Sequence, residues 1–172
     1  GTEISIGDNR ASEQLVIGEV TCAITAGIGV TNGGTFKDKS SGWFVFCNGR
    51  TVISADKTTL TGWGTGPLGL PLYQPKHRAF VGTVFFVSNN SEALPWTTTK
   101  SGINEDSSVW QEAKRNMSVV GRQVISFLDS RYTDEGTEIP SADLKEAAGK
   151  SISVISAAAA PRTSFSLPKK LA

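Results

Sequence analysis

The sequence predicts an α+β two-layer sandwich, a mixed or antiparallel sheet of three to five strands with one long helix packed on it. Three observations carry that expectation. Residues 42–55 read as two β-rich runs around Asn48-Gly49, residues 79–88 (AFVGTVFFVS) are apolar at nearly every position, and residues 108–128 carry a wide apolar stripe at helical spacing. A hairpin, a strand buried on both faces and an amphipathic helix have to bury their apolar sides against one another, and a helix layered on a sheet does so.

Taken in order, residues 1–14 are polar and are expected to form a lead-in strand or linker. From Leu15 to Ile24, apolar residues at Val16, Val20, Cys22 and Ile24 alternate as in one half-buried strand. The stretch 26–41, rich in Gly, Thr, Lys and Ser, reads as a loop. In the hairpin that follows, Asn48 and Gly49 suit a type I′ turn, whose two central residues need positive φ. Residues 56–78 are dense in Gly and Pro, which predicts a long irregular loop of the kind that is usually functional or mobile. After the buried strand, residues 89–107 are again irregular. Ser108 and Gln111 resemble a capping box that opens a helix running to about Tyr132. Its stripe is Val109, Ala113, Met117, Val120, Val124 and Phe127, widened by Ile125 and Leu128, with Glu112, Arg115, Ser118, Arg122 and Asp129 largely off it. A weaker helix is expected from Ser141 to about Ala160, and a tail or linker after Pro161. The resulting organisation is a lead-in (1–14), an α/β domain (15–132) and a C-terminal helix with tail (133–172).

Composition narrows the function classes. The 172 residues carry 17 Lys and Arg against 16 Asp and Glu, a net charge of +1. That near-balance gives no global electrostatic case for nucleic acid, an acidic substrate or a membrane surface. No apolar run approaches the roughly 20 residues of a bilayer span. The start lacks the pattern of a signal peptide and an initiator Met, which suggests an excised piece of a longer protein. Cys22 and Cys47 are too far apart for a redox pair or a zinc ribbon and read as small core residues, in keeping with a reducing cytoplasm. His77, the one histidine, stands among Pro75, Lys76 and Arg78 and is expected on a solvated loop.

Few constellations suit chemistry. Gly27-Ile28-Gly29-Val30-Thr31-Asn32-Gly33 falls one glycine short of a dinucleotide loop, and no helix pattern opens after it. Gly62-Trp63-Gly64-Thr65-Gly66 likewise lacks a following helix, and no GxxxxGK[ST] occurs. Glu105 and Asp106 precede the long helix, where acidic groups serve its N-terminal dipole. The segment Leu94-Pro95-Trp96-Thr97-Thr98-Thr99-Lys100-Ser101-Gly102 differs in kind. It sets one cation in a hydroxyl-rich loop between the buried strand and the helix. Three threonines restrict the backbone, Gly102 releases it and Trp96 anchors one end. A lysine presented this way suits a point contact to phosphate, with a plain surface lysine as the alternative reading.

The runs GWFVFCNGR (42–50), ADKTTLTGWG (55–64), RAFVGTVFF (78–86) and LPWTTTKSGINEDS (94–107) resemble bacterial ATPases of the gyrase, heat-shock-chaperone, histidine-kinase and MutL (GHKL) superfamily. The resemblance covers residues 15–132 and falls in the domain after the ATP-binding domain. It implies a transducer domain with a fold like that of a small-subunit ribosomal protein. It also implies that Lys100 reaches the γ-phosphate of ATP held by the preceding domain, with Thr98 and Thr99 shaping the contact. On this reading the chain has no cofactor of its own, and ATP and magnesium belong to the parent protein. The partner is the upstream ATP-binding domain of the same polypeptide, and superfamily members commonly form homodimers. The superfamily's magnesium-binding Asn helix and DxGxG segment are not found; Asp134-Glu135-Gly136 comes closest and lacks the second glycine. The chain alone is then not an enzyme, while its parent is an ATPase of the cytoplasm. A competing reading is a nucleic-acid or protein binding module using Lys76, Arg78 and exposed aromatics of the 62–66 loop. A self-contained small enzyme is a third.

Overall fold

A computed structural model describes residues 3–31, 38–133 and 164–166. Its elements are β1 (Glu3–Ile17), β2 (Val20–Thr31), β3 (Gly42–Cys47), β4 (Arg50–Asp56), β5 (Phe80–Val87), α1 (Ser108–Thr133) and β6 (Ser164–Ser166). Short 3₁₀ turns lie at Asp38–Ser40, Thr59–Thr61, Pro75–His77 and Ser91–Ala93. The six strands form one mixed sheet in the order β4-β3-β5-β2-β1-β6. β3 and β5 are parallel and every other neighbouring pair is antiparallel. α1 packs across β1, β2 and β5. This is the α+β sandwich expected from the sequence, with one strand more than the largest sheet anticipated.

The extra strands have local causes. The alternation from Leu15 to Ile24 is two strands, because Gly18 adopts φ +60° and reverses the chain before Val20. Alternation continues on both sides of the reversal, so periodicity alone does not reveal it. The chain then stays extended to Thr31, through the glycines expected to form a loop. β2 lies between β1 and β5, and pairing on both edges holds a glycine-rich segment in a strand that its own propensity disfavours. Residues 3–14 of the expected lead-in are part of β1, and Ser164–Ser166, expected in a tail, pairs with Glu3–Ser5. The helix expected over 141–160 lies outside the described residues.

The hairpin stands as read, with Asn48 at φ 46° and Gly49 at φ 81°. β5 is buried along Phe80–Val84 and at Phe86, as its composition requires. Its even-numbered residues Phe80, Val84 and Phe86 join Cys22, Ile24, Trp43, Val45 and Cys47 in the core beneath α1. The helix supplies Trp110, Ala113, Met117, Val120, Val124, Ile125, Phe127 and Leu128. On the other face, Val81 joins Ile4, Ile6, Phe44 and Phe46 in a second cluster, against which Phe85 stacks on Phe46 at 4.7 Å. β5 is therefore central because both its faces carry apolar side chains.

Capping differs from expectation by one residue. Ser107, not Ser108, closes the helix start: its Oγ accepts from the Trp110 N–H at 3.4 Å and its carbonyl accepts from the Gln111 N–H at 3.0 Å. Ser118 and Asp129, placed off the stripe, both face protein. Ser118 is buried beside Gly62, and Asp129 meets the Pro75–His77 turn. Among the described residues no helix is long and apolar enough to cross a membrane.

Candidate functional site

The loop that carries Lys100 is built outward from a polar junction at one end of the sheet. There the turns at Gly18-Glu19 and Asn48-Gly49 meet the exit of β5. Asn48 and Ser88 exchange two hydrogen bonds of 3.0 Å each. The Ser88 hydroxyl donates to the Glu19 carbonyl at 2.9 Å and accepts from the Asn90 N–H at 3.1 Å. Asn90 then caps the Ser91–Ala93 turn, its Oδ1 accepting from the Glu92 N–H at 3.2 Å. These bonds satisfy backbone groups at the strand end and fix the direction in which the chain leaves the sheet.

Beyond the junction the loop is clasped at its base. Leu94 is buried, and the Trp96 indole N–H donates to the Ser91 carbonyl at 2.8 Å. Trp96 and Ile103 form an antiparallel bridge, flanked by Thr97 N–H to Gly102 O and Asn104 N–H to Pro95 O, each 2.9 Å. Residues 97–102 thus form a short closed loop that hands the chain to the Ser107 cap. Trp96 anchors one end, as its place in the sequence suggests.

At the tip, the Lys100 N–H donates to the Thr97 carbonyl at 2.8 Å, closing a turn over Thr97–Lys100. Lys100 itself stands at φ +56°. Gly102, expected to release the backbone, does not adopt positive φ; the lysine does. Left-handed backbone costs a residue with a Cβ on the order of 1 kcal/mol, and glycine or asparagine is the usual occupant. Among the described residues two other non-glycine residues, Asn48 and Ala55, share this conformation. Asn48 lies in the hairpin turn. Ala55 lies where the β3–β4 register shifts between Trp43 and Val45, with the Lys57 amine donating to its carbonyl at 3.0 Å. Lys100, like Asn48, is exposed in a turn, but it lacks the asparagine's tolerance of this region.

The hydroxyls divide by parity. Thr97 Oγ1 and Thr99 Oγ1 are 3.2 Å apart, and Thr99 Oγ1 and Ser101 Oγ are 2.8 Å apart, a chain of three along one side. Thr98 is exposed and lies outside it. Of the three residues singled out from the sequence, Thr99 and Lys100 belong to the built part of the loop, and Thr97 and Ser101 join them. Their every-second-residue spacing is the signal that would have found them. The Lys100 ammonium lies 4.9 Å from the centre of the Trp96 ring, and no carboxylate among the described residues is paired with it. Glu105 and Asp106 are exposed between this loop and α1, where Asp106 N–H donates to Asn104 Oδ1 at 3.1 Å.

Elsewhere the structure redirects three expectations. His77 is buried, not solvated. Its Nδ1 accepts from the Gln74 N–H at 3.3 Å, so Nε2 carries the proton and donates to Asp129 Oδ1 at 2.9 Å. With the basic nitrogen occupied by a backbone donor, this pair ties a turn to α1 and has no free lone pair for base catalysis. Trp63, expected as an exposed aromatic of the binding-module reading, is buried against Phe80 and Tyr73. The glycine-rich run from Gly27 lies in β2 as far as Thr31. Cys22 and Cys47 are free and buried as expected, and burial pushes each thiol up to about 12, far from a reactive thiolate. Among the described residues no group of His, Cys, Asp and Glu is placed to hold a metal ion.

Comparison with known proteins adds no identification: no family model matches this chain and no curated protein matches it.

Proposed function

We propose that this chain is the transducer-type domain of a GHKL-type ATPase, and that Lys100 contacts the γ-phosphate of ATP bound by a preceding domain. The observation that carries the reading is an exposed lysine in left-handed conformation at the tip of a loop clasped at its base. Strain retained at an exposed position points to use of the side chain placed there. An ammonium is a compact point charge suited to a terminal phosphate. A cation aimed at the γ-phosphate loses its partner on hydrolysis, so the loop reports nucleotide state to the sheet and helix from which it springs. Thr97, Thr99 and Ser101 shape the tip, and Thr98, exposed, takes no part in their hydroxyl chain. ATP and magnesium belong to the preceding domain, to which the described residues contribute one cation. A cytoplasmic setting is part of the same proposal and agrees with two free thiols.

The test uses the full-length protein with Lys100→Ala. Expected is a fall in kcat of about 10²-fold or more, the scale for losing one charge-stabilising contact, with ADP affinity unchanged. Unaltered hydrolysis, or a full-length protein that binds no ATP, overturns the proposal.

A further inference from the structure

We propose that Trp96 is the resting seat of the Lys100 ammonium, holding it over the indole face until phosphate draws it away. The inference rests on the phosphate-contact reading and adds a residue to it, a positioning residue that touches the lysine and not the nucleotide. The chain has four tryptophans, and Trp43, Trp63 and Trp110 are buried in the core beneath α1. Trp96 is the one left half-exposed, and it lies under a cation at 4.9 Å. The ring is not free to swing, because its N–H is bonded to Ser91 O and its backbone is bridged to Ile103. The turn closed by Lys100 N–H and Thr97 O, with Lys100 left-handed, folds the lysine back toward the base of its own loop.

The strength of such a contact suits a seat. An ammonium over an exposed ring is favoured by about two- to five-fold over solvent. That bias restricts the rotamers of a long side chain and so reduces the ordering left to be done on binding. It is also weak enough to yield to a charge-assisted contact with phosphate. The seat and the phosphate compete for one amine, so the position of Lys100 over Trp96 reports whether nucleotide is engaged.

Ring currents make this measurable. In the chain as it stands, the Lys100 ε-methylene protons are expected upfield of those of the other lysines in a ¹H–¹³C NMR spectrum. Trp96→Leu should return them to the common lysine position, and Trp96→Phe, which keeps a ring face while losing the N–H, should retain part of the shift. Lys100 resonances at the common position in the unsubstituted chain overturn the seat. So does loss of the shift in Trp96→Phe equal to that in Trp96→Leu, which assigns Trp96 to loop folding alone. In the full-length protein a non-hydrolysable ATP analogue should abolish the upfield shift. If the shift persists while Lys100→Ala still slows hydrolysis, the seat fails and the phosphate contact stands. If Lys100→Ala leaves hydrolysis unchanged, the phosphate contact fails, and with it the release that defines the seat.

Discussion

Two irregular segments leave this sheet, and they use similar residues in opposite ways. Residues 57–78 and 88–107 are both rich in Thr and each contains a tryptophan, the first adding four Gly and three Pro and the second four Ser. The first turns inward. Trp63, Leu70 and His77 are all buried, Gly121 lets Leu70 and Trp43 approach the helix, and Arg122 donates to Pro67 O at 3.0 Å. The second turns outward. Its base is clasped by Trp96 and Ile103, and its tip exposes Lys100 in a conformation that costs free energy. A long irregular loop is therefore no sign of function by itself. What separates the two is whether their large side chains complete the core or leave a strained charge in water.

The largest expected effect in each region should leave the other's readout untouched. On the proposed function, Lys100→Ala in the full-length protein should lower kcat about 10²-fold or more while the urea midpoint hardly moves. Trp63→Ala should do the reverse, costing about 3–5 kcal/mol in a urea melt through loss of a fully buried aromatic. A Trp63→Ala midpoint within error of the unsubstituted protein would erase the distinction between the loops.

A smaller effect tests how the inward segment is fastened. Burial raises the Asp129 carboxyl, but hydrogen bonds from His77 and Lys76 outweigh burial and hold it below the usual aspartate value. A depressed folded value adds stability that is fully present above the unfolded aspartate pKa of about 3.9 and is lost as pH falls through the folded value. Asp129→Ala is expected to cost about 1–2 kcal/mol at neutral pH, because it leaves the buried Nε2–H of His77 without its acceptor. The cost should hold from pH 7 to about pH 4 and shrink below it, so denaturant melts of the two proteins should differ by a constant amount above about pH 4 and converge in stronger acid. Curves that stay parallel below about pH 4 would remove Asp129 as the fastener.

The smallest effect is the most pointed. Lys100→Asn puts a residue that tolerates the left-handed region at the strained position and should stabilise the chain by about 0.5 kcal/mol. On the proposed function the same substitution should also lower the hydrolysis rate of the full-length protein. Higher stability with lower activity is the pattern expected where strain is kept for use. Lower stability, seen by calorimetry, would show that Lys100 is held by contacts and not against strain.

How far each feature was legible follows from the range of the forces behind it. The Asn48-Gly49 hairpin, α1 and β5 were readable because turn chemistry, a 3.6-residue stripe and an apolar run act within a few neighbouring residues. The Lys100 loop was readable as a cation among hydroxyls next to an anchoring tryptophan. Its left-handed tip was not, because glycine two residues on is the ordinary place to expect it. The Gly18 reversal went unseen because alternation continues on both sides of it. His77 was misplaced because its partner Asp129 lies 52 residues further along the chain.

By itself, then, the sequence determined the sandwich class, the long helix with its core stripe, and the loop on which a phosphate-contacting lysine is proposed. Tertiary structure decided that residues 26–31 are a strand, that Ser164–Ser166 closes an edge, that Trp63 and His77 are core, and that Lys100 rests over Trp96. The reason is physical. Propensity and periodicity record what a segment prefers alone, whereas strand pairing and burial depend on which surfaces arrive from elsewhere in the chain.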